Sequence, residues 1–277
     1  MSYILVTNDD GIDAPSLHVL ARAMGDLGHI VTIAAPTRDR SGCSAGIGNL
    51  WTGSPFRFSR VASDRFDMYA IDLPPAAIVS LAANGAFGRR PDLVVAGVNP
   101  GWNVGHGVIH SGTFGAALTA AVNGIAGVAV SLDHRPTKQG HVHWETAALV
   151  AGGVVDVLIE RGLSAGAFNV NVPNVPARLL RGLKQCQPAP VGSMWRLDVR
   201  MENGAFVVAP NAIDRRPPHG TDLAALLLDW ASITFFHGLV PATFASRTVV
   251  ERVEDLIAGA VRSGASSADL ESISVGA

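Results

Sequence analysis

Two aspartates stand side by side in the segment VTNDDG (Val6–Gly11), directly after an apolar run. Adjacent carboxylates repel, so the pair either sits in a solvated turn, shares a cation, or holds a proton above the ordinary carboxylate range. Further polar residues recur at intervals along the chain. Ser41 lies in the Gly/Ser-rich segment TRDRSGCSAG, Asn99 and Asn103 lie in NPGWNVGHG, and His110-Ser111-Gly112-Thr113 precedes an alanine-rich run. The Asp9 and Asp10 carboxylates, the Ser41 hydroxyl and the Asn99 amide carbonyl are hard oxygen donors. They suit one Mg²⁺ or Mn²⁺ ion rather than Zn²⁺. A helix that opens Ser111-Gly112-Thr113 offers backbone N–H groups, a positive dipole end and two hydroxyls, which together make a seat for phosphate. Metal and phosphate seat together point to metal-assisted hydrolysis of a phosphoester, with Asp9 and Asp10 as the catalytic acids. His110 adjoins the phosphate seat, and histidine is the residue type best suited to proton transfer at neutral pH, so it is the expected proton donor to the leaving group. Each residue also has a plainer use: Asn99 shapes a turn, Ser111 caps a helix, Ser41 belongs to a linker. Those uses lose weight only if the fold brings all four segments to one place.

The surrounding elements predict that it does. Tyr3–Thr7 reads as a short buried strand. A helix starts at Asp13-Ala14-Pro15-Ser16, with Asp13 as its cap and Pro15 in its first turn, and Leu17, Leu20, Met24 and Leu27 mark its buried face. Gly28 ends that helix, and His29–Pro36 is the next strand, completing a βαβ unit with parallel strands. Strands follow at Met68–Asp72, Asp92–Asn99, Gly127–Leu132 and Phe168–Pro173. Helices are expected at Pro75–Asn84, Ser111–Gly124 and Trp144–Gly162. This alternation predicts an α/β fold with a Rossmann-like, doubly wound, mostly parallel sheet. In such sheets ligands bind beyond the carboxyl ends of the strands, where all four polar segments fall.

After Pro173 the texture changes. Trp195–Met201, the turn Glu202-Asn203-Gly204 and Ala205–Ala209 read as a β-hairpin. TDLAALLLDW reads as a helix capped by Asp222, ASITFF as a strand, and Val250–Val261 as a further helix. The expected organisation is a catalytic core over 1–175, an extension over 176–262 whose hairpin forms an arm against a second subunit, and a flexible tail over 263–277.

The chain has 277 residues, 48% of them hydrophobic and 16% charged, with a formal net charge of −2. No basic stripe is present, so nucleic acid polymers are not expected partners. Neither a membrane-spanning run nor a basic leader is legible, and Cys43 and Cys186 are isolated; a reducing cytoplasm is the expected compartment. GxxxxGK[ST] is missing, and acids stand where a dinucleotide fingerprint would follow the first strand. Asp9-Asp10 is followed by Gly11-Ile12 rather than by a further acid two residues on, unlike the haloacid dehalogenase phosphatases. A receiver domain would need an aspartate where Asn99 stands. His141 and His143 are read as loop residues before a helix.

The segments ILVTNDDGIDAPSLHVLARAM, PTRDRSG, PDLVVAGVNPGWNVG, HSGTFGAA, HWETAA, FNVNVP and GTDLAALLLDWASIT occur in this order over residues 3–234. In that order they resemble the SurE (stationary-phase survival protein) nucleotidases. The resemblance implies divalent-metal-dependent removal of phosphate from nucleoside monophosphates, a small-molecule nucleotide as substrate, and a C-terminal extension used to build a homodimer or homotetramer. It implies metal ligation by Asp9, Asp10, Ser41 and Asn99 and phosphate binding at Ser111, Gly112 and Thr113, with Asn8 and Asn103 in support. Departures from the family pattern occur at Leu73-Pro74-Pro75, at His110, in CQPAPVGS and in SITFF (Ser232–Phe236). They touch the expected pocket walls rather than the ligands, which suggests an unusual nucleotide. The alternatives are a phosphatase of a non-nucleotide ester and a catalytically silent relative that binds nucleotide or metal.

Overall fold

In a computed structural model, residues 1–133, 140–162, 165–190, 195–212 and 216–237 are described. β1 (Tyr3–Thr7) is buried along its whole length. It is followed by α1 (Pro15–Asp26), β2 (Ile30–Pro36), β3 (Phe58–Val61), β4 (Asp67–Ile71), α2 (Pro75–Ala83) and β5 (Leu93–Pro100). Then come α3 (Gly112–Val122), β6 (Ala126–Leu132), α4 (Trp144–Glu160), β7 (Gly166–Val172), β8 (Leu183–Gln185), β9 (Trp195–Glu202), β10 (Ala205–Ala212), α5 (Asp222–Leu226) and β11 (Ala231–Phe236). Among the described residues, nine strands form one sheet in the order β3-β4-β2-β1-β5-β6-β7-β11-β8, and β9 and β10 pair separately as a two-stranded ribbon. The inner strands run parallel, while β3 and β11 pair antiparallel with β4 and β7.

Alternation along the strands sorts the core into two layers. Ile4, Val6, Leu93 and Val95 face α1 and α4, packing with Leu17, Leu20, Met24 and Val155. Leu5, Val94 and Ala96 face the other way, against Ile78 and Val79 of α2 and Ala116 and Ala120 of α3. Helices on both faces of a mainly parallel sheet confirm the expected α/β class. The chain leaves β1 toward β2 and β4 on one side and toward β5 and β6 on the other, so the order reverses between β1 and β5. That reversal is where open α/β sheets leave a crevice.

Two local devices shape this crevice. Asn99 pairs with Ser131 after Ala96 has paired with Ala129, so β5 carries one extra residue as a bulge. Gly97, at φ 134° and joined to Val98 by a cis peptide, occupies the bulge, and a Cβ there would stand 2.3 Å from the Val130 carbonyl oxygen. At the start of α3, a Cβ on Gly115 would stand 2.2 Å from the Ser44 carbonyl oxygen. The loop after β2 can therefore lie directly on this helix.

Some local expectations need correcting. Ala14, not Asp13, is the N-cap of α1, and no side chain caps it; Pro15 already removes one of the donors that a cap would satisfy. Thr221 caps α5 by accepting from the Ala224 N–H, which leaves Asp222 to act elsewhere. Edge strand β3 carried no alternating signal, since three of its four residues are exposed. β8 and β11 lie in the main sheet, so it runs past residue 175. The proposed helix at Val250–Val261 and the tail from Ser263 lie outside the described residues.

Candidate active site

The turn after β1 is built by Asn8. Its Nδ2 donates to the Gly11 carbonyl at 3.0 Å and its Oδ1 accepts from the Gly11 N–H at 3.2 Å, fixing the backbone on which Asp9 and Asp10 stand. Asn8 is wholly buried, so it shapes the site without facing it. The loop after β2 is tied to the same turn where the Arg40 N–H donates to the Asp9 carbonyl at 2.7 Å.

Asp9 is 3% exposed, and its Oδ1 accepts from the Thr113 hydroxyl at 2.5 Å. The same hydroxyl oxygen lies 3.3 Å from Asn99 Oδ1. Asn99 donates through Nδ2 to the Gly101 carbonyl at 2.6 Å, which turns its amide oxygen toward Thr113 and Asp9. β1, the β5 bulge and the first turn of α3 thus meet at one hydroxyl. Ser111 is the N-cap of α3, its Oγ accepting from the Phe114 N–H at 3.0 Å. Gly112 is needed for contact: a Cβ there would stand 2.7 Å from both Asp9 Oδ2 and Cys43 Sγ.

Asp10 is different. Its Oδ2 is buried and has no hydrogen-bond partner. Burial, then the Asp9 carboxylate, then Asp39 push its carboxyl up to about 7. Asp9 is also raised, mainly by burial and against the pull of the Thr113 hydroxyl. The pair therefore resists carrying two negative charges unless a cation joins it.

Ser41 is exposed, and its hydroxyl and N–H both donate to Asp39 Oδ1, at 2.6 and 2.7 Å. Those bonds hold Asp39 below the usual carboxylate range. A hydroxyl that donates its proton to Asp39 keeps its lone pairs for a cation. Asn103 is anchored: its N–H donates to Asn171 Oδ1 at 2.7 Å, its Nδ2 to Ser131 Oγ at 2.9 Å, and its carbonyl accepts from Asn169 and Asn171. His110 closes a short 3-10 helix (Gly105–His110) with its side chain exposed, and its carbonyl accepts from the Ser44 N–H at 3.3 Å.

The fold thus brings Asp9, Asn99, Gly112 and Thr113 together, with Asp10 next to Asp9 on the turn after β1 and Ser111 capping α3 beside Gly112. His110 stands beside them at the α3 entry, and Asn8 and Asn103 lie beneath as braces. Sequence reasoning passed over two neighbours. Asp39 was legible as a third acid in TRDRSG. Cys43 is isolated in the sequence, yet its sulfur lies against Gly112 beside Asp9. Among the described residues no three His, Cys, Asp or Glu side chains group as a metal-holding cluster. A cation here would rely on the acid pair completed by neutral oxygens. The orphaned Asp10 oxygen, the Asn99 carbonyl and the Ser41 hydroxyl fit that demand in number and hardness.

Comparison with known proteins agrees with this chemistry. The sequence profile of the family described as "Survival protein SurE" matches residues 4–192. The 5'-nucleotidase SurE of Haemophilus ducreyi is 34% identical over 255 residues, covering 90% of this chain and 98% of that protein. The protein of the same name from Stenotrophomonas maltophilia is 36% identical over 241 residues, covering 83% and 88%. The crystal structure of the SurE protein from Aquifex aeolicus superposes with a TM-score of 0.75 at 26% identity, covering 91% of this chain and 99% of that one.

Proposed function

Because the chain belongs to the SurE family, we propose that it is a metal-dependent 5'-nucleotidase, removing phosphate from nucleoside monophosphates with one Mg²⁺ or Mn²⁺ ion. The observation that carries this reading is the raised Asp9–Asp10 pair, with a buried Asp10 oxygen lacking any donor, at the reversal of the sheet order. Asp9, Asp10, Asn99 and Ser41 would hold the ion. Bound there, it supplies charge compensation for the acid pair and Lewis acidity toward the phosphoryl oxygens.

The protein's own groups do the rest. The α3 N-terminus receives the phosphate, with the Gly112 and Thr113 amides and the helix dipole favouring negative charge. The Thr113 hydroxyl holds Asp9 in one rotamer, so that carboxylate does not have to reorganise during reaction. A water oxygen attacks phosphorus and sheds a proton toward the acid pair. The bond from phosphorus to the nucleoside oxygen breaks, and His110, at the mouth of the site, donates the proton that oxygen needs. The Leu73-Pro74-Pro75 turn at the start of α2 replaces usual family residues and favours an unusual nucleotide, whereas Phe235-Phe236 pairs with Phe168 and Ala167 at the amino end of β7, on the far edge of the sheet.

The β9–β10 ribbon supports an oligomer. Leu197, Val199, Met201, Phe206 and Val208 are exposed on one face of it, and a second copy of the chain is the proposed cover, in a dimer or tetramer. Cys43 and Cys186 are both free, which suits the cytoplasm. Among the described residues no helix is long and apolar enough to cross a membrane.

The test is phosphate release from a panel of nucleotides and sugar phosphates, with and without Mn²⁺ or Mg²⁺, for the wild type and Asp10→Ala. Nucleotide turnover that needs both metal and Asp10 supports the reading. Preference for sugar phosphates would favour a non-nucleotide phosphatase, and no turnover at all a silent relative. Ordinary AMP and GMP as best substrates would remove the unusual-nucleotide part.

A further inference from the structure

The segment between β5 and α3 carries Asn103 and leads from Asn99 at the end of β5 to Ser111, yet it contains Gly101, Gly105 and Gly107. Glycine-rich backbone has many conformations to lose, so such a loop holds one shape only if something outside it does the holding. One hold is the Asn169–Asn171 grip on Asn103 described above. The other comes from residues far along the chain. The Gly105 N–H donates to Asp222 Oδ2 at 2.7 Å, while Asp222 Oδ1 accepts from the Ala189 N–H at 2.9 Å and the Leu223 N–H at 2.8 Å. The Ala189 carbonyl in turn accepts from the His106 N–H at 3.1 Å. Gly105 adopts φ 62°, and a Cβ there would stand 2.6 Å from that same carbonyl, so loop and strap are in close contact. The strap is itself tied to Asp222, whose N–H donates to the Gln187 carbonyl at 2.9 Å.

Asp222 is 1% exposed, and its surroundings include the apolar cluster of Val104, Ala189, Leu223 and Leu226. Capping does not account for a carboxylate there, because Thr221 already caps α5. Burying one is costly unless its oxygens are satisfied, and each of these donors comes from backbone that a neutral aliphatic side chain would leave unpaired.

We infer that Asp222 is a positioning residue for the active site: its carboxylate pins Gly105, and through it the loop that leads into the phosphate seat, to the 187–190 strap. This rests on the nucleotidase reading for its kinetic consequence and on hydrogen bonds alone for its structural one. Asp222→Asn keeps the shape but turns one donor-facing oxygen into an N–H₂ group, so one of the bonds must fail. Asp9 and Asp10 stand on the turn after β1, outside the pinned loop.

The experiment uses the full chain. In Asp222→Asn, Mn²⁺ affinity by titration calorimetry should change less than about threefold. KM for the nucleotide and the inhibition constant of inorganic phosphate should rise together, by about tenfold or more, and amide exchange at Gly105 should accelerate while Leu5 and Val94 stay protected. Asp222→Glu should recover part of the KM. Unchanged KM and phosphate inhibition in a folded Asp222→Asn protein would overturn the inference. If that variant does not fold, Gly105→Ala attacks the same contact from the loop side, with the same KM rise expected and an unchanged KM overturning the inference. Wild-type hydrogen exchange decides independently: a Gly105 amide exchanging as fast as an open loop also overturns it. A wild type without metal-dependent phosphate release would remove the nucleotidase reading, whereas Gly105 protection would still decide the pin.

Discussion

Asp222 and the Asp9–Asp10 pair are buried acids with opposite fates. Asp222 accepts three backbone N–H groups between 2.7 and 2.9 Å, one from each of three chain segments. Asp10 has a buried oxygen that accepts nothing, next to a second carboxylate whose Oδ1 is already taken by Thr113. Burial raises the carboxyl in both regions. At Asp222 the backbone donors oppose that rise, while at Asp10 the neighbouring acids add to it. A buried carboxylate whose donors are all backbone is holding the chain together; one left without donors is waiting for a ligand. The difference separates scaffold from reaction centre without reference to any relative.

The largest expected effect breaks the pair. Asp10→Ala should lower metal-dependent phosphate release by about 10²- to 10³-fold, the scale seen when one preorganised electrostatic group is removed. Without metal, the variant should unfold at the same or a higher temperature than the wild type at pH 8, because a repulsion has been deleted. A loss of metal-free stability would mean that Asp10 serves the scaffold after all. Asp222→Ala should do the reverse. Up to three buried N–H groups lose their acceptor, at about 1 kcal/mol or more each, so a loss of about 3 kcal/mol is expected in denaturant titrations with or without Mn²⁺.

Titration sharpens the comparison. Asp10 ionises at about 7 in the metal-free fold and near 3.9 when unfolded. The folded state therefore binds the proton more tightly. This stabilisation is complete below the unfolded value and is lost as pH rises from about 4 through 7. The melting temperature of the metal-free protein should accordingly fall between pH 5 and pH 8 by an amount that Asp10→Asn abolishes. Mn²⁺ requires the ionised pair, so its affinity should rise over the same range and level off above pH 7. Calorimetry at pH 6 in two buffers of different ionisation enthalpy should show close to one proton released per ion bound. Release of none would mean that the pair is already ionised without metal.

The reaction centre was far more legible in the sequence than the scaffold that holds it. Asp9, Asp10, Asn99 and Ser111–Thr113 each follow a strongly apolar strand or open a helix of small residues, and a parallel sheet sends such positions to one edge. Gly112 was legible as part of a phosphate seat, but the tight packing of the two SGTFG glycines was not. Their reason is contact, since Gly112 lies against Asp9 and Cys43 and Gly115 against Ser44. Helix interiors disfavour glycine by about 1 kcal/mol, which only such a contact would justify. Asp222 was misread as a cap because its partners lie 117 and 33 positions away, and no local pattern encodes a bond of that span. Edge strands β3 and β8 were invisible for a related reason: both are short and largely exposed, so neither needs the alternation that marks a strand.

Cys43 supplies the smallest expected effect and the finest distinction. Its sulfur and Asp9 Oδ2 both lie 2.7 Å from the place where a Gly112 Cβ would stand, which makes it the thiol nearest the acid pair. Were it a thiolate, the site would favour softer cations and the hard-oxygen argument would fail. Burial and the Asp9 carboxylate, however, push the thiol up to about 11, so at pH 7.5 it stays protonated. A protonated thiol is neither a good ligand nor a good nucleophile. Cys43→Ala should therefore leave Mn²⁺ affinity and nucleotide turnover within about twofold, and wild-type alkylation by iodoacetamide at pH 7.5 should be slower than that of a free thiol. Loss of metal affinity in Cys43→Ala would bring the sulfur into the ligand set. The acid pair would then owe its cation to a mixed donor set, and its contrast with Asp222 would no longer rest on oxygen chemistry alone.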